Sequence, residues 1–578
     1  MSKTPNYDNK VKSILDSLEP SEQTCAMTGE KWQQTQEEID WYKKFNVPPS
    51  KVCPQTRWFH HSFWYVGYQY WYQPHPETGK PIICTVHPAT GIKVLPDKEW
   101  FEKEFQDMGR DYDSSKSFLE QWHELQLDVP MPANRNHVEP VNSIAFVSQG
   151  DENSFFVGAC KSKNTLYSHL ATDTESSAEI FRCDSVQKSF NVIHSYRIHN
   201  SKYLRECFDC MNCEFCFDCR NCENCYGATN KRNKKFIWMN EQLSEDEWNK
   251  RRAEIYIGSR KQLNDQIGKF YNLIKEQGVW PENFNDSVTN SSGEYLTKTV
   301  NVIDSYACED GALNQYSCNH SAGKSEDNAF SGYPVNGSNF YYSASGSGNN
   351  QKFCFLTIRS ENMEYCLLCY NCSDCFGCIG LQHKKFCILN KQYSEDKYWQ
   401  RVNTLKQEML EKGEYGEFFP IKYSPSYWED SGGPYWFGAR TDELKGLGIL
   451  DYDPESEGAI GRDLYDDSKL KKLSELPDHV SDLDEQWANV PLMDEIVNRR
   501  FALIKPEIDF YKSMNIAPPD KHFITRMKDL WLQCNIGRFE NVDCAECQKK
   551  LKVAINKAHS ERKIYCKECY LKYLETNG

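Results

Sequence analysis

The chain lacks any apolar run near its amino terminus that would serve as a signal peptide or membrane span; Met1 to Pro20 is polar, with Lys3, Asp8, Lys10, Lys12 and Asp16. Positive charge is also short. With 68 Lys and Arg against 83 Asp and Glu, the net charge is −15, which argues against wholesale wrapping by nucleic acid because phosphate contacts need clustered cations. No phosphate-binding Gly-Lys loop, His-Glu-x-x-His or nucleophile elbow occurs, and Gly446-x-Gly448 lacks the third glycine of a dinucleotide site. These absences point away from a membrane and from the common enzyme classes. From the polar amino terminus, the cytoplasm is the expected compartment.

What is present is sulfur and aromatic surface. There are 26 cysteines and 33 tyrosines, and aromatics make up 13% of the 578 residues, so the chain can bury several cores, about three to five domains by length. Seven cysteines recur at every third residue, Cys207, Cys210, Cys213, Cys216, Cys219, Cys222 and Cys225, and five more at Cys366, Cys369, Cys372, Cys375 and Cys378. In a reducing compartment disulfides are the least expected outcome. Third residues spiral around a helix and alternate faces on a strand, so neither element gives these thiols a common side. Solenoid corners or a metal-wrapped loop remain. Glu206, Asp209, Glu214, Asp218 and Glu223 interleave with the first row and raise thiol pKa values; the second row carries Leu367, Leu368, Tyr370, Phe376 and Ile379, a packing composition. Neutral thiols stacked inside a β-solenoid are the favoured reading, and bridged metal ions in the rows the alternative.

The rows belong to an internal duplication. Residues 216–246 and 366–396 align without a gap, with 14 identities in 31 pairs. Each copy ends on a serine N-cap, Ser244 or Ser394; Glu247 completes a capping box in the first, and Lys397 breaks it in the second. The helices are expected to run to about Glu276 and Glu411. Segments such as Asn153 to Ala159 and Val300 to Ala307 suit short strands with tight corners. A fainter repeat links the two ends, Glu38-Ile39-Asp40-Trp41-Tyr42-Lys43 through Pro48-Pro49 against Glu507-Ile508-Asp509-Phe510-Tyr511-Lys512 through Pro518-Pro519.

In the carboxy-terminal copy that element leads to two knuckles, Cys544-x-x-Cys547 and Cys566-x-x-Cys569, whose separation can set four thiolates tetrahedrally around Zn2+ in a closed structural site. Cys534 nearby reads as a buried small side chain. In the amino-terminal copy His75, Thr78, Pro96 and Glu99 occupy the ligand positions, so that ribbon reads as degenerate. Lys549, Lys550 and Lys552 lie between the carboxy-terminal knuckles, and the segment 501–578 carries 14 Lys and Arg against 10 Asp and Glu; nucleic-acid contact is an option there, a solvated loop the blander one. Cys84-x-x-His87 lacks a second pair unless Cys25 and Cys53 approach it, and reads as packing. His60-His61 and the cluster Trp64, Tyr68, Tyr70, Trp71 and Tyr72 read as core. Asp451, Asp453, Glu455 and Glu457 imitate a calcium loop, but Ser456 stands for the turn glycine and Arg462 for the bidentate acid, so calcium is discarded.

The diproline elements, Asn-Cys-x-x-Cys-aromatic-Gly with Lys-Lys-Phe and Asn-x-Gln-x-Ser-Glu-Asp, the stretch Gly413 to Pro420 and the terminal CxxC pair together resemble the large cysteine-rich zinc-ribbon proteins of reduced-genome candidate-phyla bacteria, sometimes labelled CaiB/BaiF-like. The resemblance implies no activity, and no residue supports acyl-CoA transfer. It also implies cysteines in the first ribbon, where this chain has Thr56 after Cys53-Pro54-Gln55. The expected organisation is α+β and β-rich: a degenerate ribbon-like module in 1–140, cysteine repeats each with a helix in 141–278 and 279–412, an aromatic and acidic spacer in 413–500, and a zinc ribbon in 501–578. The expected function is a non-catalytic zinc-binding scaffold with a protein partner; metal sequestration and nucleic-acid association through the ribbon are the alternatives.

Overall fold

A computed structural model describes residues 2–65, 69–426, 429, 431–437 and 467–578. Tyr68, Gly446, Gly448 and the acidic stretch 451–462 lie outside the described residues. The protein mixes α and β structure, and two stacks of short parallel strands form its centre.

In the first stack each strand pairs with the equivalent segment one coil later: Leu166 with Ala178, Ala178 with Phe190, Phe190 with Lys202, Lys202 with Glu214, Glu214 with Tyr226, and Tyr226 with Trp238. The second stack follows the same rule where Glu361 meets Ser373 and Ser373 meets Lys385. An antiparallel turn of chain closes each stack, Ile237 against Gln242 and Cys387 against Gln392.

The backbone explains the cysteine spacing. A left-handed residue recurs every third position, as at Asn200, Tyr203, Glu206, Asp209, Asn212, Phe215, Asp218, Asn221 and Asn224, with φ between 47° and 57°. Two extended residues followed by one left-handed residue turn the chain at each triplet, and four triplets, the interval from Leu166 to Ala178, make a coil of four sides. Every third side chain then faces inward. Left-handed backbone costs an L-residue about 1–2 kcal/mol, and Asn and Asp tolerate it best. Asparagines at these corners ladder between coils, Asn200 Nδ2 donating to Asn212 Oδ1 and Asn221 Nδ2 to Asn233 Oδ1, each at 2.8 Å.

The inward positions take small groups, Ser, Cys and Ala, alongside aliphatic ones such as Val192, Ile198 and Leu204. One column reads Ser177, Ser189, Ser201, Cys213, and each serine Oγ accepts the backbone N–H of the next member at 3.1 Å. Cysteine fills equivalent positions with a less polar atom of similar reach. Cys207 Sγ faces the carbonyls of Arg205 and Cys216 at 3.2 and 3.5 Å, and Cys366 Sγ those of Glu364 and Cys375 at 3.3 and 3.4 Å. The thiols of both rows are buried.

The corners turn outward elsewhere with aromatics, and these receive the rest of the chain. Tyr203 stacks on Phe215 at 4.9 Å and Phe353 on Tyr365 at 4.8 Å. Helices Arg260–Gln277 and Glu395–Glu411 cover their own stacks. The expected single helix to Glu276 is two, Glu245–Ala253 and Arg260–Gln277, because a second cap, Ser259, starts a new helix after Gly258. Ser244 Oγ accepts the Glu247 N–H, whereas Ser394 makes no side-chain cap.

The terminal modules cross over. Helix Gln36–Phe45 of the amino-terminal module packs on the second stack, where Tyr42 stacks on Phe330 at 5.9 Å. The carboxy-terminal module packs on the first, where Tyr167 Oη donates to Glu507 Oε2 at 2.7 Å. Both docks are built on the same buried triad. Arg57 Nη2 donates to Glu38 at 2.8 Å and to Tyr42 Oη at 2.6 Å; Arg526 reaches Glu507 at 3.1 Å and Tyr511 Oη at 2.7 Å.

Candidate metal centre

The hairpin Phe539–Asp543 with Lys550–Ala554 presents Cys544 and Cys547 in its turn, and Cys566 caps the helix Lys567–Asn577, which carries Cys569. Gln548 takes the left-handed conformation at φ 63°, closing the turn so that its N–H meets the Cys544 carbonyl at 2.9 Å. The four Sγ atoms lie within 4.8 Å of one another, and Cys547 and Cys566 stand 3.7 Å apart. A tetrahedron with metal–sulfur bonds of about 2.3 Å has edges of about 3.8 Å. This quartet can hold a metal ion. Burial pushes the Cys544 thiol up, but N–H groups of Cys547, Cys566 and Glu546 outweigh it and bring it down to about 6. Cys569 is raised, chiefly by its hydrogen bond to Cys566, so four thiolates together need a cation.

The centre is fastened to the first stack. Strand Lys563–Tyr565, immediately before Cys566, pairs in parallel with Val279–Pro281. Tyr570, one residue past Cys569, donates its hydroxyl to Asp218, a buried carboxylate that also receives Asn230 at 2.8 Å and Arg232 at 3.1 Å. Cys534 is buried in the neighbouring core.

Three further turns share this construction. In each, a hairpin supplies one position, a left-handed residue follows four places on, and a helix N-cap supplies the second half. The first has Cys25, Thr28, Gly29 at φ 73°, and Cys53 capping Pro54–Ser62 with Thr56. The second has His75, Thr78, Gly79 at φ 68°, and Pro96 capping Asp97–Glu102 with Glu99. The third has Asp494, Val497, Asn498 at φ 51°, and His522 capping Phe523–Trp531 with Thr525. Internal bonds lock them. His75 Nε2 pairs with Glu99 Oε2 at 2.9 Å; the His522 N–H donates to Asp494 Oδ2 at 2.8 Å, and the Cys53 N–H to Cys25 Sγ at 3.5 Å.

Sequence reading found the thiolate quartet and the His75 set. It singled out Cys53 and Thr56 but did not join them to Cys25 and Thr28, and it missed the turn at Asp494, although the shared x-x-Thr-Gly after Cys25 and after His75 was a usable signal.

The central rows are arranged otherwise. Among the described residues, Cys544, Cys547, Cys566 and Cys569 are the one group of three or more His, Cys, Asp or Glu side chains brought together at ligand distance. Cys207, Cys210, Cys213, Cys216, Cys219, Cys222 and Cys225 follow the coil instead, as do Cys366, Cys369, Cys372, Cys375 and Cys378. Burial pushes Cys216, Cys219, Cys369 and Cys375 well up. The duplicated pair Cys222 and Cys372 is drawn down by donation from neighbouring thiols.

Other candidates resolve into packing. Cys84 Sγ faces the Val86 carbonyl at 3.3 Å, and His87 packs against Trp71 at 4.1 Å, while Cys25 and Cys53 belong to a separate cluster. His60 Nδ1 meets Tyr342 Oη at 2.9 Å and Nε2 the Phe419 carbonyl at 2.7 Å. Trp64, Tyr70 and Trp71 are buried. Lys550 pairs with Asp543 at 2.7 Å and Lys552 with Asp304 at 2.8 Å, while Lys549 is exposed in the turn. A cavity of about 670 Å3 opens at the seam of the two stacks, with apolar walls at Leu170, Val335, Leu356 and Ile358 and charges of both signs at Arg182, Glu309 and Arg359. No helix among the described residues is long and apolar enough to cross a membrane. No protein-family model matches the chain, and no curated protein matches it.

Proposed function

We propose that this chain is a cytoplasmic, non-catalytic scaffold: two β-solenoid bodies with thiol-lined interiors, flanked by ribbon modules of which the last is locked by one structural zinc ion. The observation that carries this reading is the quartet Cys544, Cys547, Cys566 and Cys569, whose 3.7 Å sulfur contact suits a closed tetrahedral site with no open position for catalysis. Zinc is the ion that four thiolates in this geometry favour in a cell. The scaffold role rests on how the ribbon is used: its strand pairs with Val279–Pro281 and its helix reaches Asp218 of the first stack through Tyr570, so an ion there would fix one body against another. A protein partner is the expected ligand of such a surface, and the resemblance to zinc-ribbon proteins accords with it.

Metal storage is disfavoured because the row sulfurs face backbone carbonyls along the coils. Nucleic-acid contact is disfavoured because Lys550 and Lys552 are already paired with acids. X-ray absorption at the zinc edge on protein purified without added metal tests the reading. It expects four sulfur neighbours at about 2.3 Å. Nitrogen or oxygen neighbours, or no zinc edge, would contradict it.

A further inference from the structure

The turn at Cys25 keeps the architecture of the thiolate quartet while losing half its sulfur. Cys25 N–H donates to the Glu30 carbonyl at 2.8 Å, Gly29 N–H to the Cys25 carbonyl at 2.8 Å, and Ala26 N–H to the Lys51 carbonyl at 2.8 Å. The corresponding bonds at Cys544, Gln548 and Ala545 are 2.8, 2.9 and 2.8 Å. Cys53 N–H reaches Cys25 Sγ at 3.5 Å, as Cys566 N–H reaches Cys544 Sγ at 3.3 Å. Thr28 and Thr56 stand where Cys547 and Cys569 stand in the quartet. Two sulfurs therefore face one another in a frame that elsewhere holds four, and the Thr56 hydroxyl lies 2.9 Å from Cys53 Sγ.

We propose that Cys25 and Cys53 form a redox-active dithiol that closes to a disulfide by exchange with a low-molecular-weight disulfide. The inference does not depend on the function proposed for the carboxy-terminal centre. Cys25 sulfur attacks one sulfur of the small disulfide, forming a mixed disulfide and breaking the original sulfur–sulfur bond. Cys53 sulfur then attacks Cys25 sulfur and displaces the second small thiol. Two protons and two electrons pass from the protein to the reagent, which leaves as two thiols.

Three features suit the pair to this step. The Cys53 thiol and the Thr28 hydroxyl, with backbone N–H groups of both residues, hold Cys25 down to about 4 against the cost of burial, so it is the attacking thiolate. Cys53 is raised in return, chiefly by its bond to Cys25, and is the resolving thiol. Access is local: Cys25 is itself buried, but Ala26, Thr28, Gly29 and Glu30 around it are exposed. The thiols of the central rows sit inside closed coils, so oxidation at low reagent concentration is directed to the turn.

The bond would staple the hairpin Ser21–Thr24 with Lys31–Gln34 to the helix Pro54–Ser62, which carries Arg57 into the buried triad. Closing it therefore stiffens the dock of the amino-terminal module on the second stack.

The test is incubation of the full-length, metal-loaded chain with oxidised glutathione, acid quench, alkylation and peptide mapping by mass spectrometry. The expected result is one cross-linked peptide joining Cys25 and Cys53, lighter than its two thiol parts by two hydrogens, with the central rows still alkylated. In Cys53→Ser the same treatment leaves a glutathione adduct on Cys25, and in Cys25→Ser it leaves Cys53 unmodified. Recovery of both peptides fully alkylated from the wild-type chain would overturn the proposal. So would a second soft metal ion in the purified protein that departs on Cys25→Ser, since the pair would then be a metal site.

Discussion

The backbone N–H of Cys566 donates to Cys544 Sγ at 3.3 Å, bringing the helix Lys567–Asn577 against the hairpin turn before any ion is considered. A metal ion held by the four thiolates would complete what the backbone has begun. Cys547→Ser is expected to abolish binding of the ion and to free the terminal helix from Asp218, because three thiolates and a hydroxyl make a poorer closed site. Limited proteolysis reads this as new cleavage within 567–578, while the central stacks stay resistant.

The same site should release its ion on acidification. Bound thiolates must be protonated to let the cation go, so affinity is retained above the pH at which free thiols ionise and falls as pH drops. A chromophoric chelator followed between pH 8 and pH 5 is expected to report release at the acid end, with little released near neutrality.

Interior thiols of the coils should behave as small packing groups. Cys213 continues a column of Ser177, Ser189 and Ser201, so Cys213→Ser is expected to cost under about 1 kcal/mol, within the range of an ordinary hydrogen-bond exchange. Cys213→Leu adds volume to a column already filled by Ser201 and its neighbours and is expected to cost about 1–3 kcal/mol. Denaturant unfolding of both variants checks the order, and neither should change the metal content.

The buried triads predict an asymmetry. Removing Arg526 leaves Glu507 buried and unpaired, with Tyr167 and Tyr511 as its remaining donors. Arg526→Ala is expected to destabilise by about 3–5 kcal/mol, as for loss of one partner of a buried ion pair. Arg526→Met with Glu507→Gln should recover part of that. Equilibrium unfolding of the single and double variants provides the comparison.

Stability should fall on the acid side through buried histidines. Burial holds His60 down to about 4 and His169 to about 3, against an ordinary value of 6.5. The unfolded chain takes up these protons first, so the contribution is full above pH 6.5 and is lost as pH falls toward 4. Glu294 acts in the opposite sense: burial raises it from 4.5 to about 8, so its contribution is full below pH 4.5 and is lost as pH rises toward 8. Glu294→Gln is therefore expected to raise the melting temperature at pH 8 more than at pH 5.

The sequence carried part of this. A cysteine every third residue demands a chain that turns every third residue, and the Ser244 cap with Glu247 marks its helix start as found. What supplies the turn was only partly legible: Asn200, Asn212, Asn221 and Asn224 follow the left-handed preference, whereas Tyr203, Glu206 and Phe215 at equivalent corners do not. The crossing of the terminal modules was hidden too, since the contacts that make it, Tyr42 on Phe330 and Tyr167 to Glu507, join residues far apart in the chain with no motif in common. The turn at Asp494 and His522 has the frame without the cysteine motif that would mark it in the sequence.

The most direct test is metal content by elemental mass spectrometry on the full chain and on cysteine variants purified without added metal. One zinc per chain is expected, lost in Cys547→Ser and in Cys569→Ser, and retained in Cys216→Ser and Cys369→Ser. Several ions per chain, or a single ion that survives loss of Cys547 and Cys569 but not of the row cysteines, would contradict the account.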